Sequence, residues 1–363
     1  MKKICFVMQS ATPGTHMDYV YEMARVLHDE EKLPLTLILE KGSISVQPKW
    51  VIPQKFHLTP LRIIENFLLI CSLRFTGHKT FYIHYSFLSA ISAGIITKLF
   101  GGTVYYWNAG MPWQYKRPWV ENLYQKLAFK MIDYLVTGAG ALIPGYCDYY
   151  KILPDRVKVI PNWIDLSKIN IDLSVRGDFR AELGIPESAP VLLFVQKLAK
   201  RKGAHLLPEI FDKVKKDCVH LIIAGDGPEE GFLKKWKGQS ENKDRIHMTG
   251  RLPRNRMQEL YQTADVFLLP SEEEGSPHSL IEAMAYGLPF VGFSVGGVAE
   301  TSPPELKRHL HEFGNIEGMV ESINLFLSDP AEIKSVKECI KKWVPRFDKG
   351  KAVESFKELL LDS

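Results

Sequence analysis

Residues 266–300 read VFLLPSEEEGSPHSLIEAMAYGLPFVGFSVGGVAE. An unbroken apolar run at 266–269 gives way to turn formers and acids, then to an amphipathic segment, then to a second apolar run at 290–293. That order is strand, turn, helix, strand, and with the helix as crossover the two strands run parallel in one sheet. Gly275 and Ser276 supply the turn, and Pro277 suits the first turn of the helix, where its missing N–H costs nothing. The start of such a helix gathers free N–H groups and roughly half a positive charge, an anion site fit for a phosphate. Glu274 precedes the helix and Glu282 lies eight residues on, so both carboxylates are expected at the same sheet edge. A carboxylate accepts hydrogen bonds and donates none, which suits sugar hydroxyls. Acids at a helix start are equally what a solvated helix end favours.

Outward from this stretch the same alternation recurs. Apolar runs at 191–195, 220–224 and 246–249 precede it, and a first series lies at 4–8, 35–39, 81–86, 103–107, 134–137 and 157–160. Helical patterns such as 17–28 and 120–132 fall between them, and a polar, turn-rich joint is expected near 165–185. Two series predict an α/β chain of two Rossmann-like, doubly wound parallel-sheet domains facing a central cleft, with ligands outside the carboxyl ends of the strands. The expected bounds are residues 1–168, 169–345 and a C-terminal helical segment 346–363, whose host domain the pattern leaves open between the two. A length of 363 residues at roughly 150 per domain agrees.

Three further turns belong to the second series. In FVQKLAKRKG, residues 194–203, Lys197, Lys200, Arg201 and Lys202 follow a strand and precede Gly203, a cluster suited to a diphosphate or to a solvated loop. In IIAGDGPEEGFL, residues 222–233, Gly225 and Gly227 permit a tight turn or a close backbone approach. In MTGRLPRNRM, residues 248–257, a strand ends at Gly250 before a helix beginning near Pro253.

In this order the four pieces resemble the C-terminal domain of family 4 glycosyltransferases, retaining nucleotide-sugar enzymes of the two-domain GT-B fold. The pattern PSxxEGxPxxxxEAMAxGxPxVxxxxGGxxE carries most of the resemblance, which reaches back to VKVIPNWID, residues 157–165. It covers about 150 residues closely and the first half loosely. The resemblance implies transfer of a sugar from a nucleoside diphosphate sugar, the co-substrate, with no cofactor and no metal. It implies that Glu274 contacts the donor sugar, that Glu282 holds the ribose hydroxyls, and that Lys202 and Lys197 meet the diphosphate. Lys197 stands where the family has Arg, and Gln196 where it has Gly. The residue after Gly250, Arg251, matches a backbone contact to the base. Gly225, Gly227, Gly275, Ser276, Pro277, His278 and Ser279 complete the implied donor-binding set. In the first half, Gly14 of ATPGTH (residues 11–16) stands for the family's Gly-Gly loop. Asn108, or Trp107, in VYYWNAGMPW (residues 104–113) stands where the family places a catalytic-site His, with His84 and His16 as substitutes.

The charge is distributed unevenly. The net +4 divides into 19 basic and 12 acidic residues over 1–170 against 27 and 30 thereafter, and residues 41–130 hold 11 basic and 2 acidic. Five of the seven tryptophans lie in the first 163 residues. The segments KFHLTPLRIIENFLLICSLRFTGHK (55–79) and WQYKRPWVENLYQKLAFK (113–130) combine apolar, aromatic and basic residues. Such helices suit an anionic membrane surface, at roughly 1 kcal/mol per Lys or Arg, and ordinary core helices with solvated faces read similarly. The expected partners are therefore a nucleotide-sugar donor, a lipid-linked or cell-surface glycan acceptor and an anionic membrane surface, with no nucleic acid.

Hydrophobic residues at 45% and charged residues at 24% exclude a disordered or collagen-like chain. The five cysteines form no CxxC pair, and no Asp-x-Asp offers a metal–diphosphate ligand. No apolar run reaches the roughly 18 residues of a spanning helix, and MKKICFVMQS is too short for a signal core, so a cytoplasmic protein is expected, peripheral at the inner face of the membrane. Two other classes stay open: another GT-B enzyme, such as an epimerase or sugar-phosphate transferase, and a non-catalytic subunit that binds a nucleotide sugar. An oxidoreductase is disfavoured, since no GxGxxG follows the first strand.

Overall fold

Every apolar run named above becomes a strand of a parallel sheet in the computed structural model, which describes residues 2–11, 16–41, 47–56, 59–215 and 218–361. Contacts divide the chain into one unit of Met1–Pro161 with Gly350–Ser363 and another of Asn162–Lys349. In the first, strands β1 (Lys3–Ser10), β2 (Leu35–Lys41), β3 (Val51–Pro53), β4 (His78–His84), β5 (Thr103–Trp107), β6 (Tyr134–Thr137) and β7 (Val157–Val159) run in the order 3-2-1-4-5-6-7. In the second, β8 (Val191–Val195), β9 (His220–Ala224), β10 (Ile246–Gly250), β11 (Val266–Leu269), β12 (Phe290–Phe293) and β13 (Leu310–His311) run in the order 10-9-8-11-12-13. Each order reverses direction once, between β1 and β4 and between β8 and β11, and a doubly wound sheet places its ligand crevice at that reversal.

Side chains alternate across a strand, so each sheet feeds two layers. In the first unit Cys5, Val7, Phe81, Ile83 and Tyr106 point to one face, where α1 (Thr59–Phe75), α2 (Phe87–Phe100) and α3 (Trp119–Met131) bury Ile70, Ala93 and Phe129 against them. From the opposite face Phe6 and Tyr82 meet Phe356 of the last helix, Lys349–Leu361, with ring centres 6.4 and 5.4 Å apart. The chain's final helix thus packs on its first sheet.

Several boundaries differ from the sequence reading, and the second unit runs on to Lys349 rather than ending at 345, so the C-terminal segment of the first unit starts at Gly350. The edge strands β3 and β13 are three and two residues long, too short to register as periodic runs. β4 stops at His84, not at 86, because Tyr85 takes φ +58° and Ser86 caps α2 by accepting a hydrogen bond from Ser89 N. The units divide at Pro161, ahead of 168, and the polar stretch at 165–185 belongs wholly to the second unit. There Trp163 is buried, Ile164 N donates to Phe347 O at 2.9 Å, and Lys349 N donates to Ile164 O at 2.9 Å, so the entering and leaving strands lie side by side. Burial would raise the Asp165 carboxyl, but hydrogen bonds from Lys349, Ser167 and Lys168 hold it well below the usual range. The helix Leu173–Glu182 brings Arg180 into the core, where it pairs with Asp265 at 3.0 Å and caps four backbone carbonyls.

The second sheet also carries a histidine pair, His220 buried and His247 half-buried. His220 Nδ1 and His247 Nε2 lie 2.9 Å apart on neighbouring strands. Burial, then the charges of His220 and Lys237, push His247 down to about 4, and burial with Arg245 and Arg180 lowers His220. Unfolded histidines titrate near 6.5, so between there and about 4 the unfolded chain binds more protons and stability falls as pH falls. The melting temperature should be lower at pH 5 than at pH 7, and His247→Gln should flatten that slope in thermal denaturation.

Candidate active site

The crevice of the second unit is built from the loops that leave β8 and β11. After β11, Pro270 ends the strand and Ser271, Glu273, Glu274 and Ser276 are all buried, while Glu272 faces solvent. The following helix, His278–Ala285, starts behind Pro277, which sits at the cap with φ −70° rather than inside the first turn. Pro277 offers no side-chain cap, and the start of the helix carries the positive end of its dipole, which suits an anionic ligand. Ser276 faces the other way: its Oγ and carbonyl accept from Asn162 N and Nδ2 at 2.9 and 2.5 Å, tying the motif loop to the Asn of VIPNW.

After β8 the chain forms a tight turn at Lys200–Lys202, and Gly203 follows at φ +73°. A Cβ on Gly203 would stand 1.8 Å from Pro270 O, so only glycine lets this turn reach the end of β11. That approach joins the two halves of the site. Lys202 Nζ lies 2.8 Å from Glu274 Oε1, with the side chains 15% and 5% exposed, and Arg201 Nη1 lies 2.8 Å from Glu273 Oε1. Ser271 Oγ donates to the same Glu274 Oε1 at 2.8 Å, and Gln196 Nε2 donates to it at 3.1 Å while also donating to Ser279 Oγ at 3.1 Å. Three donors therefore converge on one carboxylate oxygen, and none of them reaches Oε2. The arrangement fixes the carboxylate's orientation and leaves its second oxygen as an acceptor.

Glu282 sits one helix side along, half-buried, with Tyr261 Oη donating to its Oε2 at 2.7 Å and His278 Nδ1 3.6 Å from its Oε1. Burial and the Glu282 charge push the Tyr286 hydroxyl up to about 12. Lys197 is exposed, with no ion pair among the described residues, and Arg251 is exposed beside Gly250, whose φ is +66°. Gly225 and Gly227 do make a close backbone approach, but to protein: a Cβ would stand 2.0 Å from Gln196 O and 2.4 Å from Leu198 O. Their part is to press the loop after β9 onto the loop that carries Gln196.

The remaining sequence candidates lie in the first unit. Asn108 follows β5 and is buried, its Oδ1 accepting from Tyr146 Oη at 2.9 Å and from Gly110 N at 3.2 Å, which shapes the turn. Trp107 stacks on His84 with ring centres 5.4 Å apart, and both are buried at the carboxyl ends of adjacent strands. Gly14 and the His16 side chain lie outside the described residues. Sequence reasoning missed Ser271 and Tyr261 as site residues. Ser271 had a signal in its three-residue spacing from Glu274; Tyr261 is brought in by packing across 21 residues and had none.

A doubly wound sheet that gathers acidic and basic side chains on the loops leaving β8 and β11 belongs to the α/β class whose ligands bind at the reversal of strand order. Residues 175–343, within the second unit, match the family Glycosyl transferases group 1. The chain is 31% identical over 183 residues to the putative teichuronic acid biosynthesis glycosyltransferase TuaC of Bacillus subtilis, covering 48% of this chain and 44% of that protein. It is 28% identical over 216 residues to the UDP-Gal:alpha-D-GlcNAc-diphosphoundecaprenol alpha-1,3-galactosyltransferase of Escherichia coli, covering 58% and 55%. The chain thus matches about half the length of these curated relatives. Among solved structures, Anabaena HepE in complex with UDP superposes with a TM-score of 0.82 at 18% identity, covering 99% of this chain and 100% of that one. WaaG, a glycosyltransferase involved in lipopolysaccharide biosynthesis, gives 0.74 at 16%, covering 99% and 100%. The shared fold is GT-B.

Proposed function

We propose that this protein transfers a sugar from a nucleoside diphosphate sugar to an acceptor hydroxyl, retaining the anomeric configuration and using no metal. The observation that carries the reading is the triply held Glu274, its Oε1 fixed by Lys202, Ser271 and Gln196 and its Oε2 left to accept from a donor-sugar hydroxyl. Lys202, already at 2.8 Å from Glu274, is the cation that meets the diphosphate as the bond from sugar to phosphate breaks. Lys197 and the N–H groups of His278 and Ser279 add positive potential to the same leaving group. Glu282, oriented by Tyr261, accepts from the ribose hydroxyls, and Arg251 lies at the base. The acceptor oxygen forms the new bond on the face the diphosphate leaves, and its proton passes to a departing phosphate oxygen. Names of the relatives that act on an undecaprenol-linked sugar and in teichuronic acid biosynthesis support an acceptor of the lipid-linked or cell-surface glycan class.

A panel of nucleotide sugars, each scanned for thermal stabilisation in excess EDTA, tests the donor site. One donor should raise the melting temperature by several degrees, as a ligand at about 100 Kd contributes about 2.7 kcal/mol, and turnover should survive the chelator. Strict loss of turnover with EDTA would remove the metal-free mechanism.

A further inference from the structure

The helical face of the first unit is apolar where a globular protein is ordinarily polar. α1, α2 and α3 pack side by side over one face of the sheet and bury Ile70, Ala93 and Phe129 inward, so their opposite sides form a common outer surface. On α1, Ile64, Leu68 and Phe75 follow helical spacing and are 57%, 60% and 66% exposed. On α2, Leu99 is 69% exposed, and its neighbour Phe100 touches Phe75 across the two helices with ring centres 5.0 Å apart. On α3, Trp119 and Leu123 are 76% and 61% exposed. Exposed large apolar side chains thus recur on all three neighbouring helices, the kind of surface that marks an interaction site.

The same helices carry exposed positive charge. Lys98, Lys116, Lys126 and Lys130 are exposed on or beside the same helices. The two acids of residues 41–130 are both engaged: Glu65 accepts from Lys55 N and Phe56 N, and Glu121 lies 3.4 Å from Arg117. We infer that this three-helix face lies on a lipid bilayer containing anionic head groups, its apolar side chains in the interface and its lysines at the phosphates. The chemistry selects this occupant. Protein interfaces deplete lysine, and an isologous contact with a second copy would bring two faces of the same net positive charge together, whereas apolar, tryptophan-bearing helices with lysine are what an anionic interface binds. No described helix is long and apolar enough to cross a membrane. The inference stands on the first unit alone and does not depend on the proposed reaction.

The test is co-sedimentation of the full chain with vesicles of phosphatidylcholine alone or with about a third phosphatidylglycerol, at low salt, where polybasic attraction is unscreened. Binding to the anionic vesicles should exceed binding to the neutral ones at least ~10-fold. Leu68→Ser/Leu99→Ser/Leu123→Ser should lose binding at least ~10-fold with unchanged thermal unfolding, and Lys116→Glu/Lys126→Glu/Lys130→Glu should abolish the preference for anionic lipid. No sedimentation with anionic vesicles overturns the inference, as does a lipid-free dimer, seen by analytical ultracentrifugation, that the triple serine variant dissociates. Donor-induced thermal stabilisation, measured on the same samples, reads the second unit separately.

Discussion

Glu274→Gln should lower turnover about 10²- to 10³-fold, the loss typical of removing one preorganised electrostatic partner, while the protein stays folded. The amide keeps a carbonyl oxygen that can accept from Ser271 and Gln196, so the loop holds its shape. What disappears is the negative charge that balances Lys202 at 2.8 Å and the acceptor strength of Oε2 toward a sugar hydroxyl. Circular dichroism and the melting temperature should match the parent within a few degrees, so the fall belongs to chemistry and not to folding. Near-parental turnover would remove Glu274 from the site.

Lys202→Ala should be the second large loss, and it should cost stability as well. The ammonium pairs with a carboxylate only 5% exposed, and Glu274 would keep two neutral donors in place of two neutral donors and a cation. Losing a hydrogen bond to a charged group costs about 2 kcal/mol, and losing the cation at a departing diphosphate costs about 10²-fold in kcat. The Lys202→Ala/Glu274→Gln double variant separates the two: its stability should recover toward the parent, because no unbalanced charge remains, while its turnover should not. A double variant as unstable as Lys202→Ala would mean that the pair contributes through packing rather than charge.

The parts of the fold that were legible in sequence are those buried on both sides. β5, β8, β9, β11 and β12 are short apolar runs bounded by turn formers, and their ends fell where the turn chemistry placed them. β3 ends in Pro53, which has no N–H to donate, and both it and β13 sit at sheet edges where two or three residues suffice. The division at Pro161 was hidden because residues 165–185 look like a linker in composition; only tertiary bonds such as those of Arg180 to Asp265 and of Lys349 to Asp165 make them part of a unit. In the site, Glu274, Glu282 and Lys202 were visible through a motif, since each lies at a fixed place on a strand-to-helix turn or in the helix that follows it. Gln196 was seen only as a substitution for glycine. Its bond to Glu274 crosses 78 residues, and spacing carries no record of such a contact. α2 illustrates the converse. Its outward Ile95, Leu99 and Phe100 are as apolar as its inward Ala93 and Ile96, so the helical period that reveals a water-facing side is weak.

Proton NMR of nucleotide-sugar turnover tests the central claim most directly, because it reads bond cleavage and anomeric configuration in one tube. With the donor that stabilises the protein, and with EDTA present, nucleoside diphosphate should accumulate and the sugar should first appear in the same anomeric form it had in the donor, at a rate that Glu274→Gln lowers about 10²-fold or more. Release of the opposite anomer would contradict retention, and a donor that binds without any cleavage would make the chain a nucleotide-sugar binder rather than a transferase.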